Sequence, residues 1–221
     1  MKPGAPGTLR GVHVRPVSVE ILVEELADLL AGRQPGSRLR VAIDGPPAAG
    51  PDLLADALVD PLRVRGRPAI RISTQDFLRP ASLRLEFGRH NPDSFYAGWF
   101  DESGLAREVL DPAGPGGSGR ILTRLWDARI DRAAREPYQA LAPGAVLLVS
   151  GPLLLGGGLA FDVAVHLELS AAALRRRTAP EQQWTLPAFQ RYAAEVDPSA
   201  FADVVLRVDD PRHPAMVLER Q

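Results

Sequence analysis

The octapeptide Gly45-Pro46-Pro47-Ala48-Ala49-Gly50-Pro51-Asp52 constrains this chain more than any other segment. An apolar run over 39–44 (LRVAID) leads into it, and a helical pattern with Leu54, Leu58 and Leu62 on one face leads out from Pro51. That is the strand–loop–helix frame of a phosphate-cradling loop, whose pattern is G-x-x-x-x-G-K-[ST]. Both glycines are in place. The two residues that carry the chemistry are not: Pro51 stands where the pattern has Lys, and Asp52 where it has Ser or Thr. The frame is kept and the charge is inverted.

Hydrophobic periodicity places the remaining elements. Residues 1–16, rich in Gly and Pro, read as a lead-in, and 17–221 as one domain. Ser18 is a helix N-cap, Val19, Leu22, Leu26, Leu29 and Leu30 follow at helical spacing, and Gly32 ends the helix. Pro61 predicts a kink in the helix after the loop. Strands are predicted at 69–73, 121–126, 145–150, 161–169 and 202–208, and helices at 102–110, 171–178 and 187–196. The stretch 74–99, dense in Arg and aromatics, reads as irregular. Strands alternating with helices predict a three-layer α/β/α fold with a mainly parallel central sheet. The AVLLVS run at 145–150 has no polar alternation, as expected of a strand covered on both faces.

Composition narrows the function. The net charge of -1 offers no basic field for nucleic acid or a membrane surface. With no cysteine, disulfides, thiolate catalysis and cysteine-ligated metal are excluded. No apolar run approaches a membrane span, and the N-terminal segment has no apolar signal core, so a cytoplasmic location is expected. His13, His90, His166 and His213 show no metal-ligand spacing. Lys2 is the only lysine, so the domain holds no second lysine to replace the one missing from the loop.

The order of VAIDGPPAAG (41–50), ISTQDFLRP (72–80), NPDSFYAGWFD (91–101), LDPAGPGG (110–117), AVLLVSG (145–151), ALRRRT (173–178) and AEVDPSAFADVVLRVDDP (194–211) resembles the uridine kinase-like branch of P-loop kinases, especially its divergent actinobacterial members. The resemblance spans about 14–214. It implies a P-loop NTPase fold with a small arginine-bearing lid at about 173–187. It also implies transfer of the ATP γ-phosphate, with Mg²⁺, to the 5′-hydroxyl of a nucleoside or similar small alcohol, often by a self-associating protein. Mapped residue by residue, the phosphate-loop positions are Gly45, Ala48, Ala49, Gly50, Pro51 and Asp52. The base position falls on Gln75, beside Asp76, and the acidic strand-end position on Ser150. The substrate side maps to Gln75, Asp76, Asp93, Tyr96 and Asp101, and the lid arginines to Arg175, Arg176 and Arg177. The second lid segment is shortened to 180–186.

Four chemical positions are therefore altered. Pro51 removes an ammonium and one N–H. Asp52 sets a carboxylate toward the place of the phosphates, a repulsion of about 4 kcal/mol at close range in an intermediate dielectric. It either fills the vacated anion site or binds Mg²⁺ directly. Gln75 has no titration in the useful range, so Asp76 is the remaining candidate base, unless it braces the turn before Phe77. The guanidiniums of 175–177 either bind phosphate or form a solvated face. Phe95, Tyr96, Trp99 and Phe100 either stack on a nucleobase or pack locally. Trp126, Asp127 and Asp131 border the same pocket in this reading. Three functions follow: a pseudokinase that keeps the fold and the acceptor pocket, an active kinase with non-standard parts, and a structural subunit of a mixed oligomer.

Overall fold

A computed structural model describes residues 12–219. Seven strands form one sheet: β1 (Val12–Pro16), β2 (Leu39–Asp44), β3 (Ala69–Ser73), β4 (Val146–Gly151), β5 (Val163–Glu168), β6 (Val204–Arg207) and β7 (Ala215–Glu219), in the spatial order β1-β7-β6-β5-β2-β4-β3. The five strands from β6 to β3 are parallel; β7 and β1 add antiparallel at the β6 edge. The principal helices are α1 (Val19–Gly32), α2 (Pro51–Val64), α3 (Pro92–Gly98), α4 (Ala171–Arg177) and α5 (Leu186–Glu195).

The layers follow from which face each strand residue presents. Every residue of β2 is buried, and alternate ones enter different cores. Leu39, Val41 and Ile43 meet Leu26 and Leu30 of α1 and Leu54, Leu58 and Leu62 of α2. Ala42 faces the other way, with Ile72, Leu147 and Val149, against Val109, Leu110 and Ile121. Two separate apolar cores on opposite faces of one sheet are what a parallel sheet requires. A third cluster, Phe95, Leu174, Ala188 and Phe189, joins α3, α4 and α5 above the strand ends.

Strand β2 is central, with β4 and β5 on either side; the chain leaves β2 toward β3 at one edge and leaves β5 toward β6 on the other side. That point, at the C-terminal strand ends, is where open α/β sheets build ligand sites. The loop 45–52 lies there. The capping prediction for α1 holds, since the Ser18 hydroxyl accepts from the Ile21 amide at 3.3 Å.

Three expectations change, and one strand is added. Residues 12–16 of the lead-in form edge strand β1, because the alternating Val12-His13-Val14 segment pairs with residues 217–219; residues 1–11 lie outside the described residues. Strand β7 was not anticipated from the sequence. The expected strand 121–126 is two short ribbons, Arg120–Ile121 with Gln139–Ala140 and Trp126–Asp127 with Arg132–Ala133, because their partners are only two residues long. The irregular stretch contains α3, started by the Asn91 side chain accepting from the Ser94 amide at 2.9 Å and by Pro92 at its first position. Helix α2 runs on past Pro61 to Val64.

Candidate functional site

The loop keeps its turn and has few free donors. Gly45 lies against β5: an added Cβ would come within 2.9 Å of the Leu167 carbonyl oxygen. Gly50 takes the left-handed conformation at φ 82° and hands the chain to α2, with Pro51 at the first helical position. A phosphate loop works through backbone N–H groups converging on the anion. Here Pro46, Pro47 and Pro51 have none. The Gly45 amide donates to Gly151 O at 3.1 Å, Ala49 to Pro46 O at 2.7 Å and Gly50 to Pro47 O at 3.0 Å. Ala48 and Asp52 are the loop positions whose amides have no such partner among the described residues.

Asp52 does not turn back onto these amides. Its carboxylate accepts a hydrogen bond from the Ser150 hydroxyl at the end of β4 and lies 3.4 Å from the Ser73 hydroxyl at the end of β3. Ser73 and Ser150 are register partners, so both hydroxyls meet the start of α2 from one side of the sheet. Arg71 closes the group: its guanidinium is 3.5 Å from Asp52 and 2.6 Å from Asp56. The expectation that Asp52 fills the anion site is corrected accordingly. The charge is compensated in part by Arg71, whose shorter contact is to Asp56. Relative to the pattern that the resemblance implies, hydroxyl and carboxylate have exchanged places: Asp52 for Ser/Thr and Ser150 for the acid. The pair survives in reverse.

These residues do not fit Mg-ATP. The loop offers few amides and no ammonium, and the one carboxylate near the metal position is met by a guanidinium where a cation would sit. Among the described residues no group of three His, Cys, Asp or Glu side chains is placed to hold a metal ion.

Beside the loop lies a cavity of about 780 Å³. Pro46, Pro47 and Ala48 form its floor, Gln75 and Leu78 one side, and Phe95, Trp99, Trp184 and Phe189 an aromatic wall. The rings sit 5.3–5.7 Å apart, Trp99 on Trp184 and Phe95 against Trp99, Trp184 and Phe189, in tilted or edge-on contacts. Arg84, Arg89 and Arg177 also line it.

The mapped site residues divide. Ala48, Gln75 and Arg177 reach this cavity. Asp76 does not; it pairs with Arg124 at 2.6 Å, and its carbonyl receives the Leu125 amide, so it braces the turn. Asp93 lines a different surface groove and pairs with Arg191 at 3.3 Å. The Tyr96 hydroxyl donates to Glu195 at 3.0 Å, and the Arg191 guanidinium lies 4.2 Å from the Tyr96 ring centre. Burial, then the bond to Glu195, raises the Tyr96 phenol above its ordinary range. Asp101 caps the turn 102–105, accepting from Gly104 N at 2.9 Å. Arg175 and Arg176 are exposed and do not line the cavity. Nor do Trp126, Asp127 and Asp131; Trp126 donates to Asp131 at 3.0 Å. Arg84, Arg89, Trp184 and Phe189 are not singled out by the sequence, and His90 only as a histidine without metal-ligand spacing; it too lines the cavity. The density of arginine in 74–99 and the tryptophan in the shortened lid segment were their only signals.

Behind the loop is a buried polar knot. Asp44, the residue before Gly45, accepts from Leu154 N at 2.9 Å and Tyr192 Oη at 3.2 Å and lies 2.7 Å from His166 Nδ1. The Leu155 amide donates to Tyr192 Oη at 2.9 Å. Burial, then the Asp44 charge, holds the Tyr192 phenol far above its ordinary range, so it remains a donor.

No family model and no curated protein matches this chain. Solved structures do. A "possible uridine kinase" from Bacillus stearothermophilus superposes with a TM-score of 0.69 at 18% identity, covering 85% of this chain and 98% of that one. The YGR205w protein superposes with a TM-score of 0.58 at 12% identity, covering 92% and 100%. At these identities the likeness is one of fold: the chain has the fold of the uridine kinase-like P-loop kinases.

Proposed function

We propose that this protein is a pseudokinase: a nucleoside-kinase-like fold that has given up ATP chemistry and retains a small-molecule cavity beside the former phosphate loop. The observation that carries this reading is the state of the loop. Phosphoryl transfer asks a protein for positioning and for neutralisation of charge. In this loop three positions are proline, three further amides are spent on carbonyls, and the carboxylate of Asp52 is locked to Ser150 and Arg71. Asp76, the remaining candidate base, is tied to Arg124. Losses in parts that act as one unit are not repaired singly. The cavity, in contrast, is built: its aromatic wall comes from α3, the lid segment and α5 together.

The test is thermal shift with Mg-ATP and with uridine, alongside a phosphotransfer assay. We expect no stabilisation by millimolar Mg-ATP and no transfer. Stabilisation by Mg-ATP together with transfer to a nucleoside overturns the reading. The double replacement Pro51→Lys with Asp52→Thr adds the ammonium, the hydroxyl and one N–H, yet leaves Pro46, Pro47 and Gln75. It should still show no transfer above the parent.

A further inference from the structure

We infer that the cavity takes an anion: a ring-bearing small molecule carrying an oxyanion, a phosphate monoester first, bound by Arg84, Arg177 and Arg89 instead of by the loop. This rests on the proposal that the cavity is a binding site and names the class of its ligand.

Many arginines of this protein are matched to carboxylates, as in Arg40–Asp162, Arg65–Asp28, Arg124–Asp76 and Arg207–Glu168. Of those facing the cavity, Arg89 and Arg177 have no carboxylate at ion-pair distance among the described residues, and Arg84 has only a long one. The Arg84 side chain is only 11% exposed, and its Nε donates to the Arg79 carbonyl at 2.6 Å. Its guanidinium packs over the Trp99 ring, 5.0 Å from the centre. The nearest carboxylate, Asp131, is 3.7 Å away and already accepts from Ala81 N and Trp126 Nε1. Arg177 is fixed in the same manner, donating to the Val208 carbonyl. Arg67 shows what a purely structural buried guanidinium looks like: it donates to the carbonyls of Gly144, Ala31, Arg33 and Ser37. A guanidinium has five N–H donors. Arg84 and Arg177 each spend one on a carbonyl, Arg84 also leans on Asp131 at 3.7 Å, and both side chains line the cavity with donors to spare.

One carboxylate, Glu181, stands in the lining against three guanidiniums. A desolvated cation without a close counter-charge is costly until an anion arrives. Guanidinium forks match phosphate or carboxylate oxygens. The aromatic wall gives the rest of the ligand a flat apolar surface, and about 780 Å³ suits a molecule of nucleotide size.

The experiment is calorimetry on the full chain with uridine 5′-monophosphate, uridine, inorganic phosphate and Mg-ATP at two salt concentrations. We expect the monophosphate to bind at least tenfold more tightly than uridine, with affinity falling as salt rises. Arg84→Gln and Arg177→Gln should each lose about tenfold. Arg84 packs on Trp99, so Arg89→Gln, at an exposed position, provides a variant without risk to folding; it should weaken the monophosphate and leave uridine unchanged. Uridine binding as well as its monophosphate overturns this inference and leaves the pseudokinase reading standing. Phosphotransfer from Mg-ATP overturns the pseudokinase reading and leaves the charge preference to the other arms. Inorganic phosphate binding as tightly as the monophosphate overturns the role of the aromatic wall. Absence of binding by all four overturns the inference.

Discussion

Asp52 and Ser150 show how two altered residues make one arrangement. Read singly, each is a loss: a carboxylate where a hydroxyl is expected, and a hydroxyl where a carboxylate is expected. In the structure they are donor and acceptor of one hydrogen bond, with Ser73 at 3.4 Å and Arg71, shared with Asp56, at 3.5 Å. Ser150 is fully buried, so its hydroxyl needs that acceptor. The pair should therefore behave as a unit under mutation. We expect Asp52→Ala and Ser150→Ala to destabilise the fold, and the double variant to cost less than their sum by about 1 kcal/mol. Equilibrium urea unfolding of the four proteins measures this coupling. Strict additivity would mean that the two side chains do not support one another. The sequence alone disclosed both substitutions and could not disclose their contact. They lie 98 positions apart, and what brings them together is the pairing of β2, which leads into the loop and Asp52, with β4, which ends at Ser150 and Gly151.

Elements were legible wherever one face of periodic apolar residues met a single partner. Helices α1, α2 and α5 and strands β2 to β6 follow from such patterns. Strand β7 did not, because Ala215–Glu219 acquires its identity only from β1 and β6 on either side. The site was harder to read than the fold. Of the five mapped substrate residues, Gln75 reaches the cavity, since the others were placed by motif while the wall is assembled from α3, the lid segment and α5. Between elements, Arg40 of β2 and Asp162, just before β5, form the best-tied ion pair: Nη2 to Oδ1 at 2.7 Å, Nε to Oδ2 at 3.0 Å, and the Arg40 amide to Oδ2 at 2.8 Å. Burial pushes the Asp162 carboxyl up, but the side-chain and backbone hydrogen bonds from Arg40 outweigh it and leave the group below its ordinary range. A depressed carboxyl stabilises the fold above the unfolded pKa of about 3.9, and that contribution is lost as pH falls through the folded value. Asp162→Asn should thus cost about 2 kcal/mol at neutral pH, somewhat less than a fully buried pair. The gap to the parent should stay level from about pH 5 to 8 and narrow below about pH 4. Denaturant unfolding across that range checks the sign; a gap that widens in acid would exclude the pair as its source.

At the scale of the molecule, the loop, the lid and the sheet meet in the knot around Asp44. It joins β2 to His166 of β5, to the 154–155 turn after β4 and to Tyr192 of α5, partners as far as 148 positions away. Asp44 precedes the loop, and α5 also carries Phe189 of the cavity wall, so the network fixes the cavity floor relative to that wall. Tyr192→Phe tests the idea with no change of shape. The ring still fills its space, while the Leu155 amide and Asp44 each lose a partner. Leaving buried polar groups unpaired costs about 1–3 kcal/mol. We expect a loss of that size in urea unfolding. Hydrogen exchange at the Leu155 amide should quicken by more than the global loss implies, because its acceptor is gone. Affinity for the uridine monophosphate probe should fall as well, since the wall would no longer be pinned to the floor. A variant with the parent's midpoint and the parent's Leu155 protection would show that α5 is held by its apolar contacts alone, and the polar knot would then have no part in shaping the cavity.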